Sequence, residues 1–171
     1  VRPGGGFLLN CAWNAEELEK NLPNQVKRYI AENDIQFYTI DGFKIGKEIG
    51  LGSKINTILQ SAFFSLADII PAEDAIKYMK DAATASYAKK GDAIVKMNHD
   101  AIEAGAKAVI KIDIPSSWKD LKDEDLSVKH SGSGKLVDYV NNILVPVNSY
   151  KGSKLPVSAF VDHADGTFEQ G

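Results

Sequence analysis

At 171 residues the chain is the size of one ordinary domain, and its 44% hydrophobic and 25% charged residues describe a globular sequence able to bury a core. A net charge of −3 lacks the basic excess typical of nucleic-acid and membrane-surface proteins, so neither partner is expected, and the lysines, never more than two in a row, read as solvated helix faces. Cys11 is the single cysteine, which excludes an intrachain disulfide and any four-cysteine iron–sulfur or zinc site built by this chain alone.

In chain order, "VRPGGG" is a Gly-rich turn leading into "GGFLLNCAW", a short apolar run that reads as a buried strand and is too short to span a membrane. With no signal-peptide layout, a reducing cytoplasm is the expected location. Asn14 and Glu17 have capping-box spacing for a short helix over "AEELEKNL". Pro23 restarts a helical turn that sets Val26, Tyr29 and Ile30 on one face. "IQFYTI" alternates as a second strand, and Asp41 caps "GFKIGKEIG", with Phe43, Ile45 and Ile49 inward and Gly50 at the left-handed end.

The run "GLGSKINTILQSAFF" then opens a helix on which Ile55, Ile58, Leu59, Ala62, Phe63 and Leu66 share one side. Pro71 precedes a helix over "AEDAIKYMKDAATASYAKK", Gly91 ends it, and another helix runs from about Asp92 to Ala108. Residues 113–134 read as a polar connector. A last helix, "KLVDYVNNIL", is expected to stop at Pro146, with an extended arm beyond it. The strand–helix order implies an α/β layered domain over 1–112, a connector over 113–134, and a short helix plus arm over 135–171. Two strands make a poor parallel sheet, so the domain is expected to be completed by sequence upstream of Val1; both ends read as cuts through a longer polypeptide.

Candidate chemistry concentrates around the glycines. The segment from Gly50 fails the dinucleotide fingerprint, because Ile55 stands where a small residue belongs and a helix precedes it. It also fails the P-loop: Gly46 and Gly52 are one residue too far apart, and Ser53 precedes Lys54. A helix cap and restart is the plain reading, although free amides at a helix start beside Lys54 suit an anion. Asn56 and Gln60 form a polar row along the next helix, and Phe64 falls on its polar side, either covered by another element or facing a partner. That row either ties the helix to a loop or faces a ligand. Asn98 is a parallel case, an amide inside the apolar stripe of its helix.

Other constellations carry less. Cys11 follows an apolar strand, where free cysteines are commonly inert. His99, His130 and His163 share no ligand spacing, and "VDHADG", with Asp162 and Asp165, lacks the alternating ligands of a calcium loop. No catalytic residue and no metal ligand is expected.

Taken together and in order, "GGFLLNCAW", "LPNQVKRYIAENDIQFYTID", "EIGLGSKINTILQSAFF", "DAIKYMKDAATASYAKKGDAIVKMNHDAIEAG" and "LPVSAFVDHADGTFEQG" resemble pyruvate:ferredoxin (flavodoxin) oxidoreductase. The resemblance spans nearly the whole chain and is weakest from Lys119 to Gly134. It implies a fragment covering the second half of the gamma-type α/β/α domain III, a helix-rich second half, and the entry into a small domain leading to a ferredoxin-like module. It further implies a parent homodimer that converts pyruvate to acetyl-CoA on thiamine diphosphate with magnesium. Electrons pass through [4Fe–4S] clusters to ferredoxin or flavodoxin. Those cofactors are expected on other domains, and this fragment is expected to face coenzyme A; the resemblance assigns no residue to that contact, and Lys54, Asn56 and Gln60 are expected there from the helix start and the polar row alone. A second reading makes it a non-catalytic docking module for other domains of the same enzyme, using the Phe64 face and the C-terminal arm.

Overall fold

Strand β1 (Gly6–Asn10) pairs in parallel with β2 (Gln36–Ile40), Phe7 opposite Phe37 and Asn10 opposite Ile40. A computed structural model describes residues 1–67 and 69–166, and within it a third strand, β3 (Ile110–Lys111), runs antiparallel to β2. At two residues, β3 is too short to show the alternation that reveals a strand in sequence. The strand order β1-β2-β3 leaves one side of β1 open. Because Gly5 accepts from Gln36 and Cys11 donates to Ile40, the alternate backbone groups of Gly6, Leu8 and Asn10 point toward that open side.

Side-chain alternation along β1 divides the core in two. Phe7, Leu9 and Cys11 pack on one face with Phe37, Leu18, Leu22, Ile30 and Ala31. The covering helices are α1 (Ala15–Asn21) and α2 (Asn24–Glu32), and the Phe7 and Phe37 rings stack with centroids 5.4 Å apart. The expected capping box is present, the Glu17 amide donating to Asn14 Oδ1 and the Asn14 amide donating to Glu17 Oε2, each at 2.9 Å. On α2 the expected inward row is only partly realised: Ile30 is buried, but Val26 and Tyr29 are exposed while Lys27 is buried. Lys27 can lie inside because its ammonium donates to the Glu19 carbonyl at 2.7 Å and sits 3.7 Å from the Glu19 carboxylate. That carboxylate also accepts from the indole N–H of buried Trp118, carried by a 3₁₀ turn (Ser116–Asp120).

Leu8 and Ile40 open the second face, covered by α3 (Gly42–Ile49), α4 (Asn56–Ala67) and α6 (Asp92–Lys107). Helix α5 (Ala72–Tyr87) packs outside them against both α4 and α6. The result is a helix–sheet–helix sandwich, the layered α/β arrangement that the order of elements implies. Asp41 caps α3 by accepting from the Lys44 amide at 2.9 Å, and Gly50 ends it at φ 91°, a left-handed position that glycine adopts without strain. Phe43 is not inward as its spacing suggests: it is exposed, and the core on this face is filled by Ile45 and Ile49. Helices α4 and α6 cross with their backbones nearly touching, since a Cβ on Gly105 would lie 2.3 Å from the Ile58 carbonyl oxygen. The buried Ser61 hydroxyl donates across the same crossing to the Ile102 carbonyl. Ile58 and Ile102 are fully buried there, each stabilising the fold by roughly 1.5–3 kcal/mol.

Two units divide the chain, Val1–Glu124 and Asp125–Gly171. Of the polar connector, the part through Glu124 packs with the first unit, held by Trp118 and by an Arg28–Asp123 ion pair. In the second unit, α7 (Lys135–Tyr139) passes through a π-helical stretch (Val140–Leu144) into α8 (Val145–Asn148). The expected stop at Pro146 is therefore incorrect. The π turn changes the hydrogen-bond spacing just ahead of the proline, and Pro146 falls in the first turn of α8, where its missing N–H costs least. Nor is the arm extended over its described length: Gly152–Lys154 and Val157–His163 are 3₁₀ turns. Residues 167–171, the end of the expected arm, lie outside the described residues. Among the described residues no helix is long and apolar enough to cross a membrane.

Candidate functional site

Two surface hollows lie side by side where α4, α5 and α6 meet. The first, about 470 Å³, runs between α4 and α5 past Gln60, Phe64, Tyr78 and Met79. The second, about 480 Å³, lies by the Gly50–Asn56 loop and carries Lys54, Lys90 and Met97. Asn56, Thr57, Tyr87 and Asn98 line both, so the hollows form one groove, within the size range of ordinary ligand sites.

Local sequence rules account for this placement. Gly50 and Gly52, at φ 91° and 61°, turn the chain sharply after α3, and the amides of Leu51 and Gly52 bond back to the Gly46 carbonyl. That turn places Lys54 beside the first turn of α4, whose leading amides have no intrahelical acceptors. Asn56, Gln60 and Phe64 follow at i, i+4 and i+8, a single ridge along the groove. Phe64 is thus half-buried against α5, resolving its position on the polar side of the helix, whereas Phe63 is 50% exposed and not the core residue its spacing suggests. The α5 wall is built largely of small residues, Ala75, Ala82, Ala83 and Ser86, which leave room between the two helices.

Asn98 is the best-placed polar group. It is 95% buried, its Nδ2 donates to the Ile94 carbonyl of its own helix at 2.9 Å, and its Oδ1 makes no hydrogen bond to the described residues. The side chains of Asn56, Thr57 and Gln60 likewise make no hydrogen bond to the described residues. Asn98 Oδ1 is not sealed from solvent, so it meets water at the groove and is open to a ligand donor. Lys54 and Lys90 are the charged residues among the lining ones, neither forms an ion pair with the described residues, and no carboxylate lines either hollow among them. Lys90 Nζ lies 5.3 Å from the Tyr87 ring centroid, where the hollows join.

The structure therefore brings Lys54, Asn56, Gln60, Phe64 and Asn98 to one groove. Lys90, Tyr87, Tyr78 and Thr57 escape the reading of the sequence. The available signal was the row of small residues on α5 between Tyr78 and Tyr87, which marks a helix face that leaves space rather than fills it. Cys11 lies elsewhere, half-buried against the first core face. Among the described residues no group of three or more His, Cys, Asp or Glu converges as a metal site. Nor does the donor set fit a four-thiolate cluster, given one cysteine in the chain, or a magnesium diphosphate, given a groove without carboxylates.

Comparison with known proteins identifies the family. Residues 1–108 match the family described as pyruvate ferredoxin/flavodoxin oxidoreductase, and residues 126–171 match a domain described as of unknown function. Pyruvate-flavodoxin oxidoreductase of Enterobacter agglomerans is 47% identical over the whole chain, and pyruvate:ferredoxin oxidoreductase of Moorella thermoacetica is 44% identical over the whole chain. A pyruvate dehydrogenase [NADP(+)] of Cryptosporidium parvum is 39% identical over 94% of the chain. The chain spans 14% of the length of the first two relatives and 10% of the third. It belongs to the pyruvate ferredoxin/flavodoxin oxidoreductase family.

Proposed function

We propose that the chain is the coenzyme A-facing part of an oxidoreductase that oxidatively decarboxylates pyruvate and transfers the acetyl group to coenzyme A. In this reading thiamine diphosphate, magnesium and [4Fe–4S] clusters are held by other domains of a cytoplasmic, homodimeric parent, which passes electrons to ferredoxin or flavodoxin. The chain itself contributes a binding wall and no reacting group. What carries the reading is the groove: the side-chain amides of Asn56, Gln60 and Asn98 along it, two lysines at one end that form no ion pair with the described residues, and no acidic residue among the described lining ones. Such a surface suits a long, anionic, amide-rich molecule better than a neutral metabolite.

A calorimetric titration with coenzyme A, made on this chain and on the full-length polypeptide, tests the reading. Saturable binding is expected, weakened about tenfold by Asn98→Ala or Gln60→Ala, the loss that follows from one buried hydrogen bond to a ligand. Asn98→Ala is expected to change folding stability by less than about 1 kcal/mol, since its internal bond only doubles back on its own helix. Absence of binding in both the folded chain and the full-length protein overturns the reading. That result favours the second reading, a docking module that meets other domains of the same enzyme through the Phe64 face and the C-terminal arm.

A further inference from the structure

The family match stops at residue 108, yet the chain goes on contributing to the first unit as far as Glu124. Beyond β3 this stretch has two parts of opposite character. Ile112, Ile114, Trp118 and Leu121 pack on the core face that α1 and α2 cover, and Trp118 is 2% exposed. From Lys122 to Glu124 every residue is exposed, and the contacts that hold them are polar. Asp123 pairs with Arg28, the Asn24 amide donates to Glu124 Oε1 at 2.9 Å, and Gln25 Nε2 donates to the Glu124 carbonyl at 2.9 Å. Helix α2 opens on Pro23, which offers no side-chain cap, so Glu124, 100 positions from Asn24, supplies the anionic cap that the local sequence lacks.

We propose that residues 112–124 form a two-part clasp on α2: a fixed apolar anchor centred on Trp118, and an electrostatic catch, Asp123 and Glu124 against Arg28 and the start of α2, that opens without it. Releasing the anchor uncovers the indole and breaks its bond to Glu19. Releasing the catch strands nothing. Arg28 keeps Glu32, one turn along the same helix and 3.8 Å away, and the Asn24 amide turns to water. Gln25 gains by release: while its Nε2 is tied to Glu124, its Oε1 is buried without a partner, and the freed side chain returns that acceptor to water. Exposed ion pairs are weak and screened by salt, so the catch is the labile part. The joint falls at Leu121, whose carbonyl accepts from Arg28 at 2.8 Å. Opening frees residues 122–124, roughly 10 Å of additional chain leading into the second unit. The clasp therefore sets the slack between the units in two discrete lengths.

Two protons report the two parts separately, the Asn24 amide the catch and the Trp118 indole N–H the anchor. Their hydrogen exchange is followed by nuclear magnetic resonance in the whole isotope-labelled chain. Wild type at low salt is compared with wild type at about 1 M salt, Arg28→Gln and Asp123→Asn, none of which removes the acceptor of either proton. Asp123 is exposed, so its variant folds even if Arg28→Gln does not. The Asn24 amide is expected to exchange about fivefold faster in Arg28→Gln and about threefold faster in Asp123→Asn and in high salt, with the indole proton unchanged throughout. If both protons speed up together, the segment leaves α2 as one piece and there is no separate catch. If the Asn24 amide is unmoved in every case, or exchanges in wild type as fast as in the unfolded chain, the polar contacts hold nothing. Either result overturns the proposal.

Discussion

Glu103 shows how far one residue on the back of the groove-forming helices affects the fold. Its carboxyl is held below the ordinary value of 4.5, first by the hydrogen bond from Lys80 and the charge of that ammonium, then by Lys107, with Asp100 opposing. A folded pKa below the unfolded one adds stability that is complete above the unfolded value and is lost as pH falls through the folded one. Stability is therefore expected to decline as pH drops below 4.5, and Glu103→Gln is expected to flatten that decline. The pair joins α5 to α6 but Glu103 is half exposed, so the effect is small. Urea unfolding of both proteins between about pH 6 and about pH 3 measures it, and parallel profiles would show that the α5–α6 pair contributes nothing.

Among the elements, the α4–α6 crossing matters most, because it fixes the spacing from which the groove hangs. Gly105→Ala would place a methyl 2.3 Å from the Ile58 carbonyl oxygen, so the helices must separate. A loss of about 1–3 kcal/mol is expected, read as a lower urea midpoint; an unchanged midpoint would mean the crossing is looser than it looks. The glycine itself is plain in the sequence, but its reason is not: only the approach of a distant backbone makes position 105 intolerant of a side chain. Much of the rest was legible locally. The Asn14–Glu17 box, the Asp41 cap, the Gly50 terminus and the Pro71 start follow from short-range rules, and each forms. Phe43, Phe63 and Lys27 did not follow the helical periodicity, because burial was decided by which neighbour covered the position and, for Lys27, by a carbonyl within reach. The site was half legible. Asn56, Gln60 and Phe64 announce a ridge by their i, i+4 spacing, whereas Lys90 and Tyr87 join them only through the α5–α6 turn at Gly91, φ 97°.

For the whole molecule, the chain is a small share of the relatives it matches, 14% of the length of the first two. On the reading proposed above, its groove, with no carboxylate among the described lining residues, serves as a recognition surface. That is the central claim, and location tests it better than affinity. Isotope-labelled chain, titrated with coenzyme A and followed by amide chemical shifts, is expected to show saturable changes concentrated at Lys54–Phe64, at Tyr87–Lys90 and around Asn98. Saturable changes confined to α1, α2 or the second unit, with the α4–α6 groove unmoved, would contradict the account.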